Sequence, residues 1–397
     1  MLRAFRSGET RTAGTVMEVI TMKTASGGAA TFDLLVFVGR FQPLHFGHIA
    51  VIREALKSAR HVLVLVGSAN AARSARNPFS YEERQRMISD AVAEMDAFDE
   101  HGVKPAARVI IKPLDDHVYA DDAWTAEVQA TVYETIAEDL PAGTGSNVGL
   151  IGHNKDNSSY YLRIFPTFGS VNVEGVRSSR DELLSSTRIR ERAFAHVLDG
   201  SSDQLSPFGE MADAMPPSVR GHLDRIWRTA PFARIVEEVE HVRTYRAQWA
   251  NTPYPVTFTT VDALVTCNGH VLMVVRGEMP GKGLFALPGG FIRPEETLFD
   301  ACVRELREET TIDVPPRVLV RSCVNKNAAR VFDDPFRSVR GRTITNVFRF
   351  DLAEPQLPKI KGADDAAEAS WIPVGSITPR ACFEDHGHII RSMLGTA

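Results

Sequence analysis

Glu296, then Glu305, Glu308 and Glu309, follow a Leu287-Pro288-Gly289-Gly290 turn at a spacing that invites chemistry. The last three fit one helix. With about 100° per residue and Leu298 set at zero, Cys302 falls near ~40°, Leu306 near ~80° and Phe299 near ~100°, which is the buried stripe. On that wheel Glu309 lies near ~20°, Glu305 near ~340° and Glu308 near ~280°, so the carboxylates overlap the edge of the apolar face. Acids so placed repel by roughly a few tenths of a kcal/mol when exposed, more when half-buried, and call for a positive partner. Arg304 at ~240° can pair with Glu308, but it and Arg307 at ~180° lie on the far side from Glu309. A hard cation suits the remaining gap, since magnesium takes oxygen ligands and commonly joins carboxylates to substrate phosphates. The plain alternative is a solvated acidic face.

A second constellation stands near the front. An apolar run at 34–38 ends in Gly39-Arg40-Phe41-Gln42-Pro43-Leu44-His45-Phe46-Gly47-His48 and leads straight into a helical stretch. Unpaired backbone N–H groups and the helix dipole favour an anion there. His45 and His48 add imidazole donors, and Gly47 lets a ligand approach the backbone. A bare His-x-x-His pair is weak, and two structural histidines explain it as well. Ser185-Ser186-Thr187-Arg188-Ile189-Arg190 opens another helix, where Ser186 and Thr187 suit N-capping. Trp124, Val128 and Val132 suit a core stripe at i, i+4 and i+8.

These residues need elements to position them. At 397 residues the chain exceeds one ordinary core, and two domains are expected. Strand-like runs at 34–38, 62–66, 107–111 and 148–151 alternate with helical stretches at 49–60, 82–95 and 123–140, which predicts an open, doubly wound parallel sheet with its ligand at the strands' carboxyl ends. Residues 201–254 read as a mostly helical connector, with one long charged helix over 219–248. Beyond 255 come strand-like pieces at 256–266, 271–276, 318–324 and 344–352, interrupted by only two helices, at 297–310 and 384–394. A mixed sheet with few helices is expected there.

Composition narrows the partners. A net charge of -5 offers no basic excess for a nucleic-acid polymer. The longest apolar runs fall far short of a membrane span. Cys267, Cys302, Cys323 and Cys382 lie too far apart for a zinc site or a disulfide framework, and a reducing cytoplasm fits. Residues 1–32 lack apolar periodicity and the core of a secretory signal, and are expected to be a flexible extension, with Met17 or Met22 as alternative starts. A homo-oligomer is left open.

Two resemblances cover most of 33–397. Gly290, Glu296, Arg304-Glu305-Leu306-Arg307-Glu308-Glu309 and Ile312 resemble the Nudix box at nearly every defining position, with Thr311 standing where that family usually has glycine. The resemblance implies an α/β/α sandwich over 255–397 and magnesium, or manganese, held by Glu305, Glu308 and Glu309 with help from Glu296 and the Gly290 carbonyl. It also implies hydrolysis of a nucleoside diphosphate derivative. Asp364, Asp365 and Glu368 are candidate bases, with Asp365 preferred. The segment Phe332-Asp333-Asp334-Pro335-Phe336-Arg337-Ser338-Val339-Arg340-Gly341-Arg342 is similar to one found in Nudix proteins acting on ADP-ribose, which makes Arg337 and Arg342 candidate substrate contacts.

The front string is similar to the nucleotidyltransferase signature of nicotinamide mononucleotide adenylyltransferases, with further matches at Gly67-Ser68-Ala69-Asn70, Asn77-Pro78-Phe79, Glu83-Arg84 and Asp115-Asp116. That implies a Rossmann-like domain over 33–200 that binds ATP and the mononucleotide through Gly39, Arg40, Phe41, Gly47, Ser186 and Thr187. His45, His48 and Arg190 would serve the transfer, and Trp124 would stack on the nicotinamide ring. Together the resemblances imply a bifunctional enzyme of NAD metabolism acting on ATP, nicotinamide mononucleotide and ADP-ribose. The rivals for the back half are hydrolysis of NADH or a diadenosine polyphosphate, or a sensor that binds ADP-ribose without turnover.

Overall fold

The computed structural model describes residues 32–95, 103–153, 162, 164–177, 181–200, 206–362 and 366–395. The expected extension at 1–32, apart from Phe32, lies outside the described residues, as do Asp364 and Asp365.

The chain runs β1 (Phe32–Gly39), α1 (Phe46–Ser58), β2 (Ala59–Val66), α2 (Tyr81–Ala93), β3 (Val109–Pro113), α3 (Asp121–Glu138), β4 (Val148–Gly152), β5 (Gly169–Asn172) and α4 (Ser186–Leu198). Every pairing among these five strands is parallel, in the order β3-β2-β1-β4-β5. The alternation in the sequence predicted this sheet. Leu34, Leu35 and Val36 are wholly buried, as a strand covered on both faces by helices must be.

Two helices follow, α5 (Pro217–Ile226) and α6 (Ala230–Ala247). The single helix expected over 219–248 is broken at Trp227–Thr229, because Thr229 caps a new helix with Pro231 in its first turn. Val219, Leu223, Ile226, Phe232 and Ile235 enter the same core as Ile49, Met87 and Phe194, so this stretch packs onto the parallel sheet's helices.

The second sheet is built from β6 (Thr257–Cys267), β7 (His270–Arg276), β8 (Phe285–Ala286), β9 (Gly289–Phe291), β10 (Arg330–Phe332), β11 (Arg342–Leu352) and β12 (Ala366–Pro373), with helices α7 (Leu298–Thr310), α8 (Pro316–Ser322) and α9 (His386–Leu394). It has seven strands: β10-β11-β6-β7-β12 in a row, with β8 on β7 and β9 on β6. The β11–β6 pairing is parallel and the other pairings are antiparallel, so the sheet is mixed as expected. The strand predicted at 318–324 is instead α8, a third helix beyond 255. Its Val-Leu-Val run suits either period, and Pro315 and Pro316 decide for a helix start. Among the described residues no helix is long and apolar enough to cross a membrane.

Candidate active sites

The first site lies where the parallel sheet reverses order, with β2 on one side of β1 and β4 on the other. Leaving β1, the Gly39 carbonyl accepts the Gly67 N–H at 2.8 Å, closing the ends of β1 and β2 together. A Cβ on Gly39 would stand 2.9 Å from the tip of Phe41. Phe41 is 1% exposed and sits at φ 51°, edge-on to Phe37 and His48. It was expected to contact substrate; buried as it is, it wedges the loop into shape from below.

His45 caps α1 by accepting the Gly47 N–H at Nδ1 (3.1 Å), and His48 Nδ1 accepts the His45 N–H (3.2 Å). The rings stack 3.8 Å apart. With both Nδ1 atoms accepting, each neutral ring carries its proton on Nε2, which becomes its donor. Burial and the neighbouring His45 hold the His48 pKa well below the ordinary value, so His48 is neutral at pH 7. A Cβ on Gly47 would come within 2.8 Å of His45 Cε1, so this glycine makes room for the imidazole, not only for a ligand.

Arginines cluster along the same loop. Arg190, 8% exposed, donates to the carbonyls of Gln42 (2.5 Å) and Ala75 (3.2 Å) and to Thr187 Oγ1 (3.3 Å). Burial first, then Arg40 and Arg76, lower its pKa to about 10. Arg40 is depressed by burial and by Arg76, with partial relief from Asp116. Mutual repulsion among three arginines marks a place prepared for an anion. Ser186 and Thr187 do not cap α4; that position belongs to Ser185, and the Ser186 hydroxyl donates to the Pro43 carbonyl at 3.0 Å. The serine thus ties α4 to the histidine loop. Trp124 lies half-buried on the α3 face shared with Val128 and Val132, tilted against Phe165. Asn70 donates to both Asp115 carboxylate oxygens (2.8 and 2.7 Å).

The second site gathers at α7. Thr297 caps the helix, and Arg304 reaches back from it to Glu296 (2.5 and 2.9 Å), Glu305 (2.7 Å) and Glu308 (2.9 Å). The wheel placed Arg304 beside Glu308 alone; its long side chain gathers all three acids. Glu309 stands apart. It accepts the Gly289 N–H at 2.9 Å, and burial, followed by Glu305 and Asp262, raises its pKa to about 8. Gly290 is pressed against the same cluster, where a Cβ would lie 2.7 Å from a Glu305 oxygen.

Among the described residues no group of three or more acidic, histidine or cysteine side chains is already drawn together as a metal cage. Arg304 instead bridges Glu296, Glu305 and Glu308. The donor chemistry nevertheless fits a hard divalent cation: all ligands are oxygens, three converge on one positive centre, and a fourth is a buried acid short of countercharge.

A basic and aromatic wall faces these acids. Arg276 lies over the Phe383 ring at 4.1 Å, and Arg340 over Phe291 (5.2 Å) and Phe383 (5.9 Å). Arg276 is depressed by burial and by Arg340, and supported by Glu384, Glu309 and Asp262. Asp262 is buried between Arg337, Arg340 and Arg276, with Thr345 donating to it. Sequence alone did not single out Arg276, Arg340 or Asp262. An ionisable residue in a strand looks like an outward-facing one, and only Arg340 sat inside a recognisable motif.

The two arginines that were singled out hold other posts. Arg337 is buried, its fork bidentate on Asp385 at 2.9 Å through both Nε and Nη2. Arg342 donates to the Asp333 carbonyl and pinches the loop between them. Both shape the loop that presents Arg340. Glu368 is exposed on β12 and accepts from Ser370 at 3.1 Å.

Comparison with known proteins follows this division. Residues 36–192 match the cytidylyltransferase-like family and residues 256–393 the NUDIX domain family. The front is 42% identical over 163 residues to a nicotinamide/nicotinic acid mononucleotide adenylyltransferase of Acinetobacter baylyi, covering 41% of this chain and 76% of that protein. The back is 36% identical over 134 residues to an ADP-ribose pyrophosphatase of Methanocaldococcus jannaschii, covering 34% of this chain and 71% of that protein. A crystal structure from Francisella tularensis, a bifunctional NMN adenylyltransferase/ADP ribose pyrophosphatase complexed with AMP and manganese, superposes with a TM-score of 0.76 at 33% identity. The match covers 92% of this chain and 99% of that one.

Proposed function

Because the chain belongs to the family of bifunctional enzymes that join an NMN adenylyltransferase to a Nudix ADP-ribose pyrophosphatase, we propose that it makes NAD at its front site and cleaves ADP-ribose at its back site. The front reaction joins nicotinamide mononucleotide to the AMP of ATP and releases pyrophosphate. The back reaction gives AMP and ribose 5-phosphate. One observation carries this: the chain builds two oppositely organised sites, an arginine cluster on the loop that leads into a histidine pair, and an acid set facing an arginine–aromatic wall.

At the front, the mononucleotide phosphate attacks the ATP α-phosphorus in line, with no protein nucleophile. His45 and His48 donate from Nε2 to phosphate oxygens, and the guanidiniums of Arg40 and Arg190 balance the charge that builds there. Gly39 and Gly47 keep the backbone open beside the phosphates, Ser186 and Thr187 support their outer end, and Trp124 stacks on the nicotinamide.

At the back, Glu305, Glu308 and Glu309, with Glu296 and the Gly290 carbonyl, would hold magnesium, for which manganese can substitute. When bound, the divalent ion neutralises the diphosphate and makes a water at the site more acidic. Arg304 must release its carboxylates for this, while Glu309 gives up the proton that its burial favours. Arg276 and Arg340 take the phosphates from the opposite side, and Asp365 remains the candidate base.

Initial rates with magnesium test the substrate directly. AMP release from ADP-ribose should exceed that from NADH and diadenosine polyphosphates, and NAD should form from ATP plus the mononucleotide. A higher kcat/KM on a rival dinucleotide would reassign the back site. Tight ADP-ribose binding without magnesium-dependent AMP release would make it a sensor.

A further inference from the structure

The loop that carries Arg340 is fastened at its base by two neighbouring acids. Glu384 accepts the Val339 N–H at 2.9 Å, and Asp385 takes the Arg337 fork. A third group reaches this base from outside the sheet that builds the site. Tyr119, in the turn just before α3, donates its hydroxyl to Asp385 Oδ2, the same oxygen that takes Arg337 Nε. Its ring meets Phe332 edge-on at 4.8 Å, where the loop begins. Further along, Arg76 of the front half lies over the Phe336 ring at 5.5 Å. The front half therefore touches the loop at its start, its base and its tip.

We propose that Tyr119 is a positioning residue of the ADP-ribose site: a side chain of the nucleotidyltransferase half that orients Asp385 and Arg337, and through them the loop presenting Arg340 to substrate. The proposal rests on the assignment of ADP-ribose hydrolysis to the back site. Asp385 accepts three hydrogen bonds in a space closed to water, its side chain being 6% exposed. Two come from Arg337 and cannot by themselves fix where the pair sits. The Tyr119 hydroxyl supplies an anchor on a separate body of the protein. Burial and Asp385 raise the phenol's pKa, so it stays a donor across the working pH range.

The site's two walls then separate in kinetics. The acids of α7 touch neither Tyr119 nor Asp385 among the described residues' contacts, whereas Arg340 belongs to the fastened loop. Losing the hydroxyl should weaken ground-state binding more than the chemical step. In full-length protein, Tyr119→Phe keeps the ring on Phe332 and removes only the donor. The KM for ADP-ribose is expected to rise about five- to tenfold, with kcat and NAD synthesis close to those of the parent and the melting midpoint lowered by only a few degrees. Asp385→Asn should shift KM in the same direction and further.

An unchanged KM in both Tyr119→Phe and Tyr119→Ala would overturn the proposal. So would a Tyr119→Phe variant in which both activities fall in the same proportion with a lowered melting midpoint, since the residue would then only hold the halves together. A parent enzyme that releases no AMP from ADP-ribose fails at an earlier point, removing the assignment on which the proposal depends.

Discussion

Arg84 makes the most quantitative prediction. It is 1% exposed, and its guanidinium donates to the carbonyls of Arg40 (2.7 Å), Gly67 (2.6 Å), Ser68 (3.1 Å) and Ser80 (3.1 Å). One side chain thus ties the carboxyl ends of β1 and β2 to the start of α2. Burial lowers its pKa to about 10, which still leaves it charged at pH 7. Arg84→Met preserves length but removes four side-chain hydrogen bonds, although the Ser68 and Ser80 carbonyls keep the backbone N–H groups of Ala71 and residue 84. At roughly 1 kcal/mol net for each bond, less about 1 kcal/mol recovered by burying the thioether, the loss is about 3 kcal/mol. For a unit of this size that lowers the melting midpoint by about 10 °C. The loops carrying Arg40 and His45 lose their common anchor, and NAD synthesis at 20 °C should fall about a hundredfold, while ADP-ribose hydrolysis stays within about threefold. Scanning fluorimetry and initial rates on both substrates measure all three. A midpoint within about 2 °C of the parent, with NAD synthesis intact, would refute the role assigned to Arg84.

Two further predictions concern the back half. Thr311 ends α7 at φ 41° and ψ 36°, the left-handed position that glycine usually fills, and its hydroxyl donates to the Lys361 carbonyl at 2.9 Å. Strain of about 1 kcal/mol is offset by a bond of similar worth, so Thr311→Gly should be neutral within about 1 kcal/mol. Thr311→Val keeps the strain, loses the bond and should cost about 1 to 2 kcal/mol in urea unfolding; a neutral valine would show the bond to be worthless. His386 accepts the Leu287 N–H at Nδ1 (2.9 Å), and burial lowers its pKa from 6.5 to about 3. The unfolded chain takes up that proton first, so this stabilisation is complete above about pH 6.5 and lost on acidification, by roughly 1.4 kcal/mol per pH unit down to the folded value. His386→Asn keeps an acceptor that does not titrate and should flatten the decline in melting midpoint between pH 7.5 and 5.5; parallel declines in parent and variant would exclude His386 as its source.

Much of the fold is legible in the sequence. Runs such as 34–38 and 62–66 are apolar on both faces, so the parallel sheet was readable from alternation alone, and the wheel turned Glu309 toward the core, where it is largely buried. Other features depend on reach or on tertiary contact. A helical angle locates a Cα but not a guanidinium, which is why Arg304 spans Glu296, Glu305 and Glu308 instead of Glu308 alone. β10 and β9 have three residues each, too few to show a period. β12 carries Glu368 and Ser370 among its apolar residues and so lacks the apolar run that marked the other strands. Arg337 looked like a surface contact until its partner Asp385, 48 residues away, was placed against it. Thr311, irregular in the motif, became intelligible only with its backbone angles and the Lys361 carbonyl beside it.

The central claim, that one chain carries two separate nucleotide chemistries, is tested most directly by a crossed pair of variants assayed for both reactions. His48→Ala removes an Nε2 donor from the front site and should cut NAD synthesis at least about a hundredfold while ADP-ribose hydrolysis stays at the parent rate. Glu309→Gln should do the reverse. If either change abolished both activities at an unchanged melting midpoint, the two sites would not be independent, and the claim of two separate chemistries would be contradicted.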